Sequence, residues 1–144
     1  MANDSRREGW QADSYLIIFS KSEIQSLTEA YGINLLIPGY SLVGLDSWDD
    51  FIVKNSNGDM FTIPTVPAIS KYLKPFHLKL EQIKLTPDER LVGKIKWYVK
   101  PVVFGGDPQI GDNVMWISIE KHTELVKWWN QKYKELTEKS TNKP

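Results

Sequence analysis

Apolar positions along this chain fall into three patterns. The first is a continuous run: Tyr15-Leu16-Ile17-Ile18-Phe19 is five residues long and partly β-branched, and it reads as a buried strand. The second is helical spacing, which follows directly. Ser20-Lys21-Ser22-Glu23 forms a capping box, in which the serine hydroxyl accepts from the N–H three residues on and the glutamate reaches back. Ile24, Leu27 and Tyr31 then fall on one helical face, and Gly32 supplies a stop. These signals predict a helix over residues 21–31.

The third pattern is the two-residue alternation of strands. Phe51–Lys54 and Met60–Ile63 flank Asn55-Ser56-Asn57-Gly58-Asp59, and Asn-Gly between β-forming runs predicts a hairpin. Lys94–Lys100 places Ile95, Trp97 and Val99 on one face and Lys94, Lys96, Tyr98 and Lys100 on the other, a strand with one wet side. Val102–Phe104 extends it beyond Pro101. Residues 41–45, after the Pro38-Gly39 turn, form a short strand, and Val114–Ile117 another. Residues 68–74 make two helical turns stopped by Pro75. Thr86-Pro87-Asp88-Glu89 opens a brief helix, with Thr as N-cap and Pro at the first position. Ser118 caps a last helix with an inner stripe of Ile119, His122, Leu125, Val126, Trp129, Tyr133 and Leu136.

Hairpin-joined strands with helices outside them predict an α+β fold, a mainly antiparallel sheet flanked by helices. One domain is expected over residues 10–138, with flexible polar tails at 1–9 and 139–144. With 144 residues, six Trp, six Tyr and five Phe, the chain can build a core without staples.

Composition narrows the function. The absence of cysteine excludes disulfides, thiolate metal sites and a thiol nucleophile. Eighteen basic residues balance eighteen acidic ones, which argues against nucleic acid as a partner. No apolar run approaches the ~20 residues that cross a bilayer, and no signal-peptide core follows the first residues. A cytoplasmic protein with no membrane partner is therefore expected.

Candidate chemistry is sparse. His77 and His122 have no second ligand at metal spacing, and His122 reads as a satisfied helix histidine. Gly105-Gly106-Asp107 precedes a strand, not a helix, so it reads as a tight loop and no phosphate cradle. No serine has the context of a nucleophile. The expectation is a non-enzyme without cofactor or metal. The densest carboxylates are Asp46, Asp49 and Asp50 around Trp48, with Asp59 across the hairpin; they read as an acidic rim. Tyr98 lies among lysines. Trp128 sits beside the inner stripe, either as an interface anchor or as a cap on the core edge. Asp46, Trp48, Asp49, Asp50, Tyr98 and Trp128 are thus the candidate partner-binding residues.

Leu36-Ile37-Pro38-Gly39-Tyr40 resembles the Leu-Pro-x-x-Tyr region of the SUKH superfamily, which includes fungal cell-wall assembly and glucan-synthesis regulators. The Asn57-Gly58 turn after an early helix, the Gly105-Gly106-Asp107 loop, Trp116 and a closing helix continue the likeness across residues 15–136. The resemblance implies an antiparallel α+β fold and a protein partner: a toxin domain neutralised by an immunity protein or, alternatively, a component of cell-wall (glucan) synthesis. A small-ligand-binding protein or hydrolase is the reading from another class.

Overall fold

The apolar run at 15–19 becomes the second strand of a six-stranded antiparallel sheet. The computed structural model describes residues 6–77, 79–98 and 113–141. Strands β1 (Arg7–Gln11), β2 (Ser14–Ile18), β3 (Ser41–Asp46), β4 (Asp50–Lys54), β5 (Met60–Pro64) and β6 (Lys74–Pro75) lie side by side in chain order. Helices α1 (Lys21–Ala30) and α2 (Ile33–Leu36) connect β2 to β3. A second, two-stranded sheet pairs β7 (Ile95–Tyr98) with β8 (Val114–Ile117), and α3 (Ile119–Thr141) follows. Every strand pair is antiparallel, so the fold is α+β.

Both faces of the central strands are covered. Tyr15 and Ile17 of β2 join Leu45, Phe51, Val53 and Ile63 in the larger core, together with Tyr31, Trp97 and Val126. Leu16, Ile18, Val43 and Ile52 point the other way and pack on Leu80 and Ile83. Double coverage explains why β2 is a continuous apolar run instead of an alternating one. Within the sheet, β2 and β3 approach closely at Gly44. A Cβ on Gly44, beside the irregularity between Leu42 and Gly44, would lie 2.4 Å from the Ile17 carbonyl oxygen.

Local signals act as the sequence predicts over much of the chain. The Glu23 carboxylate accepts the Ser20 N–H at 3.0 Å, and Gly32 takes φ +74° at the end of α1. Arg6 adds an ion pair to Glu23. Ile95 and Trp97 are buried, while Lys96 and Tyr98 are only partly covered. Ser118 Oγ accepts the Lys121 N–H at 3.2 Å. His122 and Val126 of the α3 stripe are fully buried, whereas Leu136 is exposed.

Other regions differ, each for a physical reason. Residues 7–9, which the sequence assigns to a tail, pair in β1. Their anchors are distant: Arg7 donates to the Leu80 and Ile83 carbonyls, and Trp10 and Thr86 exchange both backbone hydrogen bonds. Thr86-Pro87-Asp88-Glu89 opens no helix. Thr86 is taken up by that bridge, and Asp88 accepts the Trp10 indole N–H at 3.1 Å and the Arg90 guanidinium. Residues 68–74 give only a 3-10 turn, Ser70–Tyr72, before β6. The helical signal at 138–141 continues in α3, beyond the expected domain limit. Val99, Lys100, the Val102–Phe104 extension and the Gly105-Gly106-Asp107 loop lie outside the described residues.

Asn130 pins α3 to the Thr65–Ala68 segment that follows β5, a role that spacing does not announce. Its side chain accepts the Ala68 N–H at 2.9 Å and donates to the Thr65 carbonyl at 2.8 Å, satisfying two buried backbone groups.

Gly44 and Gly58 make a diagnostic pair. Gly58 has φ +88° with open space around it, so Gly58→Ala bears only a backbone penalty of about 1 kcal/mol. Gly44→Ala must displace backbone, and a loss above roughly 2 kcal/mol, or failure to fold, is expected. Urea denaturation of both variants checks this; equal losses would contradict the close approach at Ile17.

Candidate functional site

Strands β3 and β4 reverse direction over Ser47-Trp48-Asp49. Asp46 and Asp50 face each other as cross-strand partners at the mouth of this turn. Like charges placed directly opposite are unfavourable. The backbone is strained as well: Ser47 and Trp48 take φ +50° and +63°, a region that costs non-glycine residues on the order of 1 kcal/mol or more each. Such a turn persists only if its surroundings hold it.

Trp48 supplies the hold. It is 8% exposed, and its ring stacks on Tyr15 with centroids 4.9 Å apart and planes 17° from parallel. Trp10 and Trp116 meet it edge-on at 6.3 Å and 5.1 Å. Backbone bonds complete the clamp: the Ser47 N–H donates to the Tyr15 carbonyl at 2.7 Å, and the Thr65 N–H donates to the Asp49 carbonyl at 2.9 Å. Tyr15 itself is fixed by donating its hydroxyl to Glu8 at 2.6 Å.

The carboxylates on this rigid turn are electrostatically uncomfortable. Asp50 is half-buried, and its pKa is pushed up to about 6, first by desolvation and then by the charges of Asp46 and Asp49; Lys74 opposes the shift. Burial also raises Asp46, against hydrogen bonds from Ser47 and Ser14. Asp49 is the exposed member of the three; desolvation raises it and Lys96 of β7 opposes. Among the described residues, no salt bridge joins any of the three to a cation, and no cluster of His, Asp or Glu is gathered as a metal cage.

The remaining candidates belong to other elements. Asp59 belongs to the β4–β5 hairpin at the opposite end of β4, where it closes a local network with Asn55. Tyr98 ends β7, with the Lys96 ammonium 5.3 Å from its ring centre. Trp128 is 56% exposed, lies edge-on to Trp129, and lines a shallow groove with Ala30, Glu124 and Lys127. Trp48 is an internal support of the turn and offers little surface to a partner. Trp10, Tyr15 and Trp116, its packing neighbours, are spread over more than a hundred residues, and no periodicity links them.

His122 is a core residue. Its Nδ1 lies 2.6 Å from the Tyr31 hydroxyl, with the rings of Tyr31 and Trp97 edge-on at 5.4 Å and 5.3 Å. Burial lowers its pKa to about 3, so the imidazole is neutral at pH 7. Its Nε2 has no partner among the described residues.

The chain matches no known family model, no curated protein and no solved structure.

Two titrations follow, with opposite signs. Unfolding raises the His122 pKa from about 3 to the free value of 6.5, so protons bind the unfolded chain first. Its contribution is complete above pH 6.5 and is lost as the pH falls toward 3. The dependence of the urea midpoint on pH over that window should be shallower in His122→Gln than in the parent; parallel curves would contradict the buried neutral imidazole. Asp50 acts in reverse, because its pKa of about 6 lies above the free value of 3.8. Its ionisation weakens the fold progressively from about pH 4 to pH 6 and by a constant amount above. Asp50→Asn is therefore expected to stabilise the protein by about 1 kcal/mol at pH 7.5 and by little at pH 3.5. A destabilised Asn variant at pH 7.5 would contradict the crowding.

Proposed function

We propose that this chain is a non-catalytic protein-binding module that docks its acidic β3–β4 turn on a cationic face of another protein. The observation that carries the reading is the turn itself: Asp46, Asp49 and Asp50 are held rigidly on a buried tryptophan without an ion-pair partner among the described residues. A cation brought by a partner would favour the ionised Asp50 carboxylate, which desolvation first and the charges of Asp46 and Asp49 second disfavour. The rigid turn limits the ordering entropy lost on binding, and its charge would steer the encounter.

Together with the resemblance to the SUKH superfamily, this supports an immunity protein that neutralises a cognate toxin by occlusion. The three carboxylates would imitate nucleic-acid phosphates before the basic cleft of a nuclease-type toxin domain. Occlusion requires no catalytic group of the binder, only complementarity and a slow off-rate.

Affinity capture of the tagged chain from its native lysate, at about 150 mM salt, tests the reading. A stoichiometric partner carrying a toxin domain is expected. Asp49→Lys combined with Asp50→Lys should weaken that complex by at least about tenfold while the variant still melts cooperatively. Unchanged affinity of the folded double variant would reject the acidic turn as the docking surface.

A further inference from the structure

We infer that the cleft between the Leu91–Lys94 turn, β8 and the start of α3 binds a small planar anion, of which an aromatic carboxylate is the simplest member. This inference does not rest on the docking reading: the lining contains none of Asp46, Asp49 and Asp50, although Trp116 packs on Trp48 of that turn. The cleft measures about 640 Å³, within the range of roughly 300–1,000 Å³ typical of small-molecule sites.

Its lining divides into a flat apolar part and a cationic part. Trp116 is the aromatic side chain among the described lining residues and is 43% exposed. Trp48 meets it edge-on at 89° and so fixes the indole plane from within. Leu91 and Ile117 extend the apolar surface. Among the described residues, the ionised side chains of the lining are Arg90 and Lys94, and no carboxylate belongs to it.

The two cations differ in what they can give. Arg90 is held in a fork on Asp88, with Nε and Nη2 at 3.0 Å and 2.9 Å from the carboxylate oxygens, and Asp88 is tied in turn to the Trp10 indole at 3.1 Å. That arrangement orients the guanidinium and cancels part of its charge. Lys94 has no salt bridge among the described residues, so its ammonium carries the charge recognition. The positive end of the α3 dipole begins next to Ser118, which lines the cleft; Glu120 in the first helical turn offsets part of that field. A ligand with a flat apolar body and one anionic edge satisfies both halves: the body lies on Trp116 and the anion reaches Lys94.

Titration with naphthalene-2-carboxylate, and with the neutral naphthalene-2-carboxamide, tests the site by following the tryptophan indole N–H resonances. Trp116→Phe identifies the relevant resonance. Saturable binding of the carboxylate in the range of about 0.1–1 mM is expected, with the amide at least about fivefold weaker. Lys94→Glu, at an exposed position, should weaken the carboxylate by at least about fivefold and leave the amide unchanged. If Trp116→Phe does not fold, the Lys94 comparison still decides. Absence of saturation by about 10 mM, equal affinity for acid and amide, or indifference to Lys94→Glu would overturn the proposal.

Discussion

Tyr15 ties the N-terminal strand, the sheet and the acidic turn together. It is fully buried, its ring carries Trp48 and touches Trp10, its carbonyl accepts from Ser47, and its hydroxyl reaches Glu8. Trp48 cannot adopt its left-handed backbone cheaply, so the stacked ring is what keeps the turn in that shape. Remove the Tyr15 platform and three things loosen at once: β1 loses its hydroxyl contact, the turn loses its floor, and Trp116 loses the ring that sets its plane. The Glu8 carboxylate that holds Tyr15 also accepts the Gly93 N–H, so the same hub reaches the turn before β7.

The acidic turn combines opposed carboxylates with two successive residues in left-handed backbone. Elsewhere, Thr28 and Asn130 each satisfy two backbone groups, and Glu23 closes its cap. At the turn, opposed carboxylates are brought together on strained backbone without a cation in contact among the described residues. Sites that carry stability costs of this kind are where function is to be sought, since a purely structural turn gains nothing from them.

Much of the architecture is legible in the residues, for reasons that separate the successes from the misses. The cap of α1, the hairpin around Asn57-Gly58 and the strand at Ile95–Tyr98 depend on neighbours in sequence, so short-range patterns reveal them. β1 does not, because Arg7-Glu8-Gly9-Trp10-Gln11 has no apolar alternation; its partners are β2 and the distant Thr86. The helix signal at Thr86–Glu89 fails for the matching reason, since the Thr86 carbonyl that would start the helix accepts the Trp10 N–H and Asp88 is held by the Trp10 indole and Arg90. The candidate site is half legible. Its carboxylates stand out as local charge, whereas the burial of Trp48 follows from Tyr15, Trp10 and Trp116, which only the folded chain assembles.

Amide hydrogen exchange tests the central claim most directly, comparing the free chain with the chain bound to the partner that it captures. Slowed exchange is expected, concentrated in the Asp46–Asp50 turn and in the Thr65 segment bonded to it. Protection confined to the α3 surface around Trp128, with the turn unchanged, would contradict it.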